Sequence, residues 1–398
     1  MDIVMIPFHD CKKWMKEGFR TRDAHLAEHF CMDQRIGKIL VINRPVSLAE
    51  VCFKRTGWKI NAEKMEIVLK GKNFQITKLN HKLYCLDTFL PDFFKVAKQK
   101  KLWWSSAFEN KFVLDTIQKA VKYLKLEDSI LLLQNPMAVN VIKAMNYKCF
   151  AFDAIDNWLY HSQMSSNHSV IKDNYQYIEE NADVIFTVSH ALTKLFKENK
   201  NVYWVANGVD IDFFTSGFSN HVPGTPITVG YIGKIQERVD FELVEACLKK
   251  FSNIQFVFMG PVYSQKKIIK RLQKNYSNLL FTGDIHYKNL PQAMKKIDLA
   301  IIPHRVDDFT ESMNPLKLYE YLAAGKPVVS TRVAGISDIS PYVYSAGSYD
   351  EFIAELSNTA AMAEQGKLNP QTIAESIPAE CSWTYRCDEI INILENNL

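Results

Sequence analysis

Three observations predict an α/β chain of two parallel-sheet domains in series. Short apolar runs alternate with polar-apolar stretches of helical spacing, the alternation pauses near residue 206 and restarts at Ile227, and 398 residues suffice for two domains that each bury a core. In the first half the runs fall at 2–6, 38–43, 129–134, 148–153, 183–188 and 202–206; residues 50–90 are less regular and read as a small antiparallel or loop region. In the second half they fall at 227–232, 254–259, 279–281, 298–302 and 328–331. Between the halves, 207–225 carries Gly208, Gly217, Pro223 and Gly224 and reads as a hinge. Trp383, Tyr385, Ile390, Ile391, Ile393 and Leu394 recur at helical spacing near the end. The expected organisation is therefore 1–206 and 207–378 as two Rossmann-like domains, with 379–398 as a helix packing back across the joint, and a ligand cleft between the domains.

Composition narrows the function. With 48 basic and 44 acidic residues the net charge is only +4, so nucleic acid is not an expected partner. Eight cysteines are scattered without a CxxC pair or zinc spacing, which fits a reduced compartment. An apolar run long enough to cross a bilayer is absent, and the first strand follows the initiator without a signal-peptide core, so a cytoplasmic protein is expected.

The most informative run is Asn314-Pro-Leu-Lys-Leu-Tyr-Glu-Tyr-Leu-Ala-Ala-Gly-Lys-Pro327. Asn314 is a favoured N-cap, Pro315 suits the first helical position, and Gly325 and Pro327 stop the helix. Following a strand that ends near Ile302, the helix start should sit at the carboxyl edge of the sheet, where open α/β sheets bind ligands. Backbone amides around Ser312, Met313 and Asn314 would face an anion there. Lys317 and Glu320, three residues apart, share a helical face. A cation beside a phosphate and a carboxylate one turn deeper, able to accept both ribose hydroxyl hydrogens, make a coherent nucleoside-diphosphate site.

This run resembles the donor-binding helix of the GT-B glycosyltransferases of the family 4 (group 1) type, as do Asn207-Gly-Val-Asp210, Gly230-Tyr-Ile-Gly233 and Met259-Gly-Pro261. The likeness covers most of 184–331. A narrower likeness, to transferases of bacterial cell-wall and capsule loci including the teichuronic acid type, rests on the 314–327 run and on Gly233-Lys-Ile-Gln-Glu-Arg-Val-Asp240. The resemblance implies a GT-B fold, transfer of a sugar from a nucleotide-diphosphate sugar to a saccharide or lipid-linked acceptor, retention of anomeric configuration, and Glu320 on the ribose. Two departures stand out. The family places two glutamates eight apart, but position 312 is Ser and Glu311 is one residue out of register. The usual Gly-Arg plus later Lys on the diphosphate is replaced by Gly233-Lys234 and Arg238. Lys234, Arg238 and Lys317 would stabilise the charge that develops as the diphosphate leaves, so neither a metal nor any other cofactor is expected; Asp307-Asp308 is not an Asp-x-Asp. An epimerase or phosphorylase on the same two sheets, or a non-catalytic saccharide-binding relative, are the alternatives.

The first half offers acceptor-side candidates. Arg20, Arg22 and His25 lie where a loop opens a helix after the first strand, and either meet phosphates or a charged acceptor or belong to a helix that buries Leu26 and Phe30. Asp153 and Asp156 end another strand and either position or deprotonate the acceptor hydroxyl or cap the following turn. Finally, 93–104 mixes four lysines with Phe93, Phe94, Trp103 and Trp104, which suits either the inner face of an anionic plasma membrane or a buried helix edge with solvated lysines.

Overall fold

The computed structural model describes residues 1–54, 57–61, 65–333 and 339–398. The chain divides into two compact units, Met1–Val205 with Cys387–Leu398, and Ala206–Arg386. The stretch read as a hinge lies within the second unit, where it contains a short helix, Ile211–Thr215.

Among the described residues, the first unit holds β1 (Ile3–Ile6), β2 (Ile39–Ile42), β3 (Val46–Ser47), β4 (Glu66–Lys70), β5 (Phe74–Lys78), β6 (Leu83–Leu90), β7 (Ile130–Leu133), β8 (Cys149–Ala154), β9 (Val184–Thr187) and β10 (Val202–Trp204). The sheet order is β10-β9-β8-β7-β1-β2-β6-β5-β4, with β3 paired to β6. From β10 to β6 every pairing is parallel, whereas β6, β5 and β4 form an antiparallel meander. Of the stretch read as irregular over 50–90, residues 66–90 form this meander and 50–54 end the helix Leu48–Lys54, while 55–56 and 62–64 lie outside the described residues. The runs in β1, β2, β7 and β9 are wholly buried, as a sheet covered on both faces requires.

The second unit holds β11 (Thr228–Ile232), β12 (Gln255–Met259), β13 (Leu279–Gly283), β14 (Leu299–Ile302), β15 (Val328–Thr331) and β16 (Val343–Ala346). These are all parallel, in the order β13-β12-β11-β14-β15-β16. Alternation sorts their side chains into two cores. Val229, Tyr231, Phe256, Phe258, Leu299 and Ile301 pack on one face, and Ile232, Val257, Met259, Ala300 and Ile302 on the other. Numbered from β11, the order is 3-2-1-4-5-6, so the direction of winding reverses between β11 and β14. Ligands of such sheets bind outside the carboxyl ends of the strands at that reversal.

The helix after β14 runs Leu316–Ala323, so Asn314 is not its N-cap; Pro315 takes that position. Asn314 is occupied elsewhere: its Oδ1 accepts from the Asn207 amide at 2.9 Å, its Nδ2 donates to Tyr319 at 2.9 Å, and its carbonyl accepts from Asn207 Nδ2 at 2.6 Å. The helix stops as expected. Gly325 adopts φ +71° while its amide donates to Leu322 O and the Lys326 amide to Tyr321 O, a Schellman closure. The last helix, Trp383–Asn396, buries Trp383, Cys387, Ile390, Ile391 and Leu394; it begins among residues of the second unit and ends among those of the first.

Candidate functional site

At the reversal point of the second sheet, three strand ends and one helix start converge. Gly233 follows β11, Gly260 follows β12 and His304 follows β14. Gly260, at φ +155°, cannot carry a side chain, because a Cβ would lie 1.9 Å from the Gly233 carbonyl oxygen. Gly233 is needed for its backbone conformation, φ +142°, and its lack of a Cβ also leaves room for Lys317 Nζ, which would stand 2.9 Å from one. The two glycines let the loops close over one another and leave the Lys317 ammonium against bare backbone.

Lys317 is held by β11. Its Nζ donates to the Tyr231 hydroxyl at 2.7 Å and lies 4.0 Å from the centre of that ring. Tyr231 OH is also 3.1 Å from the Lys234 carbonyl oxygen and 3.4 Å from His304 Nε2. The helix itself is clamped by Tyr321, whose hydroxyl accepts from the Ile232 amide at 2.6 Å and lies 3.2 Å from the Ile232 carbonyl. Glu320, 9% exposed, sits one turn in from Lys317.

Arg238 comes from the loop after β11. Its Nη1 approaches Met313 Sδ at 3.5 Å, its guanidinium lies 5.9 Å from the Phe309 ring, and its Nε donates to Gln236 Oε1 at 2.8 Å when that amide is oriented to satisfy both groups. The electrostatic result is a surplus of positive charge. Burial, then Arg238 and Lys234, hold the Lys317 ammonium well below its ordinary pKa, with Glu320 opposing. Burial, then Lys317 and Arg238, depress His304 similarly, so its imidazole is neutral near pH 7. Burial pushes the Tyr231 phenol up to about 12, keeping it protonated as a donor. A bound anion would relieve this surplus.

Gly233, Lys234, Arg238, Met313, Asn314, Lys317 and Glu320 are thus gathered on neighbouring strand ends and one helix. Ser312 is nearby but turned to its own backbone: it is 2% exposed and its Oγ donates to Phe309 O at 2.7 Å. Glu311 is exposed, so its shifted register is not compensated by its position. Sequence reading missed Tyr231 and His304. Tyr231 reads as another apolar residue of a buried strand, and only its partner three strands later reveals the hydroxyl's role.

In the first unit, Asp153 is not free to act as a base. It is fully buried within β8, where Arg22 Nε reaches its two oxygens at 3.1 and 3.0 Å, Arg22 Nη2 reaches Oδ1 at 3.0 Å, and Gln134 Nε2 donates at 2.7 Å. Arg22, only 4% exposed, is therefore bound to Asp153 rather than offered to an anion. Neither residue caps a turn; the pair ties the helix Arg22–Met32 to β8. His25 is 1% exposed in that helix, beside the buried Leu26 and Phe30, and Arg20 Nε pairs with Glu17 at 2.9 Å. Asp156 is partly exposed, and its backbone carbonyl accepts from the Tyr175 hydroxyl at 3.3 Å. A pair that the sequence reading passed over lies after β1: His9 Nδ1 is 3.3 Å from the buried carboxylate of Asp23, which also accepts from the His9 amide at 2.9 Å. Burial works against the Asp23 charge, but His9 and the Thr21 hydroxyl hold its pKa below the usual value. The signal was Phe8-His9-Asp10 at the carboxyl end of the first strand. Among the described residues no group of three or more His, Cys, Asp or Glu is arranged to hold a metal ion.

Comparison with known proteins follows the same lines. Residues 226–365 match the family described as Glycosyl transferases group 1. Over 213 residues the chain is 31% identical to "Putative teichuronic acid biosynthesis glycosyltransferase TuaH" of Bacillus subtilis (strain 168), a match taking in 48% of this chain and 53% of that protein. The chain thus spans about half the length of this curated relative. Among solved structures, sucrose-phosphate synthase from Thermosynechococcus elongatus superposes with a TM-score of 0.70 at 12% identity, covering 100% of this chain and 98% of that one. Anabaena HepE in complex with UDP gives 0.61 at 11% identity, with 100% of both chains covered.

Proposed function

We propose, for a chain that has the GT-B fold and belongs through residues 226–365 to the family 4-like, group 1 glycosyltransferases, that it moves a sugar from a nucleotide-diphosphate sugar to a saccharide or lipid-linked saccharide acceptor in bacterial cell-envelope polysaccharide synthesis. The observation that carries this reading is the Lys317 ammonium, held by Tyr231 beside the bare backbone of Gly233 and raised in energy by burial first and then by Arg238 and Lys234. It belongs to a site that gains by accepting an anion.

Breaking the bond between sugar and diphosphate leaves negative charge on the departing oxygens. Lys317, Arg238, Lys234 and the first-turn amides of Leu316–Ala323 are preorganised for that charge, so they stabilise the transition state more than the ground state. Glu320, one turn deeper, takes the ribose hydroxyls. The chain supplies the positive charge itself, and transfer proceeds without a metal ion or other cofactor. Asp153, locked to Arg22, is not placed to act as a base; retention of the anomeric configuration, with the departing diphosphate taking the acceptor proton, rests on the likeness to the family alone.

A thermal-shift screen over UDP-, GDP-, ADP- and dTDP-sugars tests the donor reading, because a ligand of the folded state alone must raise apparent stability. One class should shift the wild type and fail to shift Glu320→Ala. No shift with any class rejects the reading. Turnover that survives a chelator supports the metal-free step, and turnover that it abolishes rejects that step alone. The exposed Glu311 and the Ser at 312 favour one second reading, a binding protein without transferase activity; sugar-nucleotide binding with no product from any acceptor would select it.

A further inference from the structure

The 93–104 region in the first unit takes no part in the donor chemistry, and its two faces are unlike. The chain there forms the helix Phe94–Gln99, a 3-10 turn Lys100–Leu102 and a short helix Trp103–Ser106. Trp103, 3% exposed, anchors it to the core. On the other side Phe94 is 85% exposed, and Phe53 of the neighbouring helix Leu48–Lys54 is 76% exposed. The Phe53 ring lies 5.6 Å from Phe93, which lies 6.0 Å from Phe94. The rings of three phenylalanines thus gather at the surface. Beside them runs a groove of about 330 Å³ lined by Phe53, Val96, Trp103 and Trp104, with Lys100 and Lys101 among its walls.

Among the described residues the charge around this apolar cluster is mainly positive, with Asp92 the opposing carboxylate. Lys95, Lys98 and Lys100 are exposed. Glu50 is paired with Arg44 at 2.7 Å, and Asp92 accepts from the Lys95 amide at 3.0 Å while keeping its charge, which leaves the exposed lysines in excess. Lys101 is also committed, donating to the Gln163 carbonyl at 2.6 Å. Exposed phenylalanines in water are unfavourable, and three cations around them add repulsion. Both costs reverse at a boundary that is apolar beneath and anionic above.

We propose that this face docks on an anionic phospholipid bilayer, with Phe53 and Phe94 entering the boundary between headgroups and acyl chains and Lys95, Lys98 and Lys100 lying at the lipid phosphates. No helix among the described residues is long and apolar enough to cross a membrane. The proposal does not depend on the transferase reading.

Sedimentation of the full chain with vesicles tests it, using phosphatidylcholine alone and phosphatidylcholine mixed with phosphatidylglycerol. Binding is expected only with phosphatidylglycerol and should weaken as salt rises. Phe53→Ser with Phe94→Ser should lower the partition coefficient about tenfold or more. Lys95→Gln with Lys98→Gln should lower it about tenfold and flatten the salt dependence. All four side chains project from the surface, and unchanged thermal melting of the variants shows that each remains folded. Equal binding to both vesicle types overturns the proposal, as does undiminished binding of the double phenylalanine variant. Failure to bind either vesicle, with a concentration-dependent dimer that the phenylalanine variant abolishes, also overturns it by showing that the face joins two copies of the chain.

Discussion

Lys317 pays electrostatically for its position, and that cost makes a signed prediction. Burial, Arg238 and Lys234 depress its pKa, so between that lowered value and the unfolded value near 10.5 the unfolded chain holds more protons at this position. Stability should therefore rise with pH across that window, and below it the full penalty of the buried ammonium is present. A diphosphate reverses the effect by favouring the charged form. Above the depressed pKa, binding of the nucleoside diphosphate identified by the screen must take up a proton, and affinity must fall as pH rises. Calorimetry in buffers of different ionisation enthalpy measures that uptake; Lys317→Met should abolish it, and uptake that persists in the variant would assign it to His304 instead. Tyr231→Phe isolates the hydroxyl, since it keeps the ring 4.0 Å from the ammonium and the stacking on Phe258. Loss of one hydrogen bond to a buried charged group should cost about 1.5–3 kcal/mol of stability, read as a lowered denaturation midpoint, and turnover should fall as Lys317 loses its anchor. Turnover equal to wild type would remove Tyr231 from the positioning of Lys317.

The short helix Leu316–Ala323 shows what can and cannot be read from sequence at the level of an element. Its end was legible because Gly325 and Pro327 admit few conformations: φ +71° is open to glycine, and a Cβ on residue 325 would fall 2.4 Å from that of Pro370. Its beginning was misread because an N-cap preference is a local property. The Asn314 side chain went instead to Asn207 and Tyr319, partners 107 and 5 residues away. The same contrast explains Asp153. An aspartate at the end of an apolar run signals chemistry, and only the fold brings Arg22, 131 residues distant, onto it. Edge strand β16 went unread because its pattern is three half-buried residues followed by one buried, without the continuous apolar run of the central strands. Gly325→Ala should therefore cost more than an exposed helix-end substitution, about 1–3 kcal/mol from left-handed strain plus the Pro370 clash, read as a lowered denaturation midpoint. A change within about 0.5 kcal/mol would mean that the closure at residue 325 is not the element's stop.

At the scale of the whole chain, each unit has a core of its own, and in the second unit the sheet's two faces are filled by separate sets of side chains. This much was visible in the restart of the apolar runs at Ile227, because a fully buried parallel sheet requires near-continuous apolar strands. The location of the proposed donor residues followed from topology. In an order of 3-2-1-4-5-6, the loops after the first and fourth strands are parted by the reversal of winding, and these are the loops that carry Gly233, Lys234 and His304. The acceptor side did not follow, because two of its candidate charges, Arg22 and Asp153, tie the helix Arg22–Met32 to β8, and Arg20 pairs with Glu17. The asymmetry can be tested by hydrogen exchange. A ligand at one hundred times its dissociation constant stabilises the state that binds it by about 2.7 kcal/mol, a roughly hundredfold slowing for amides that exchange by opening the binding state. With the sugar nucleotide selected by the screen, that slowing should concentrate at 231–239 and 313–321, while the β1 to β8 strands of the first unit change little. Protection centred on the loop after β1, where His9 meets Asp23, would instead move the nucleotide to the first unit and remove Lys317 and Glu320 from its recognition.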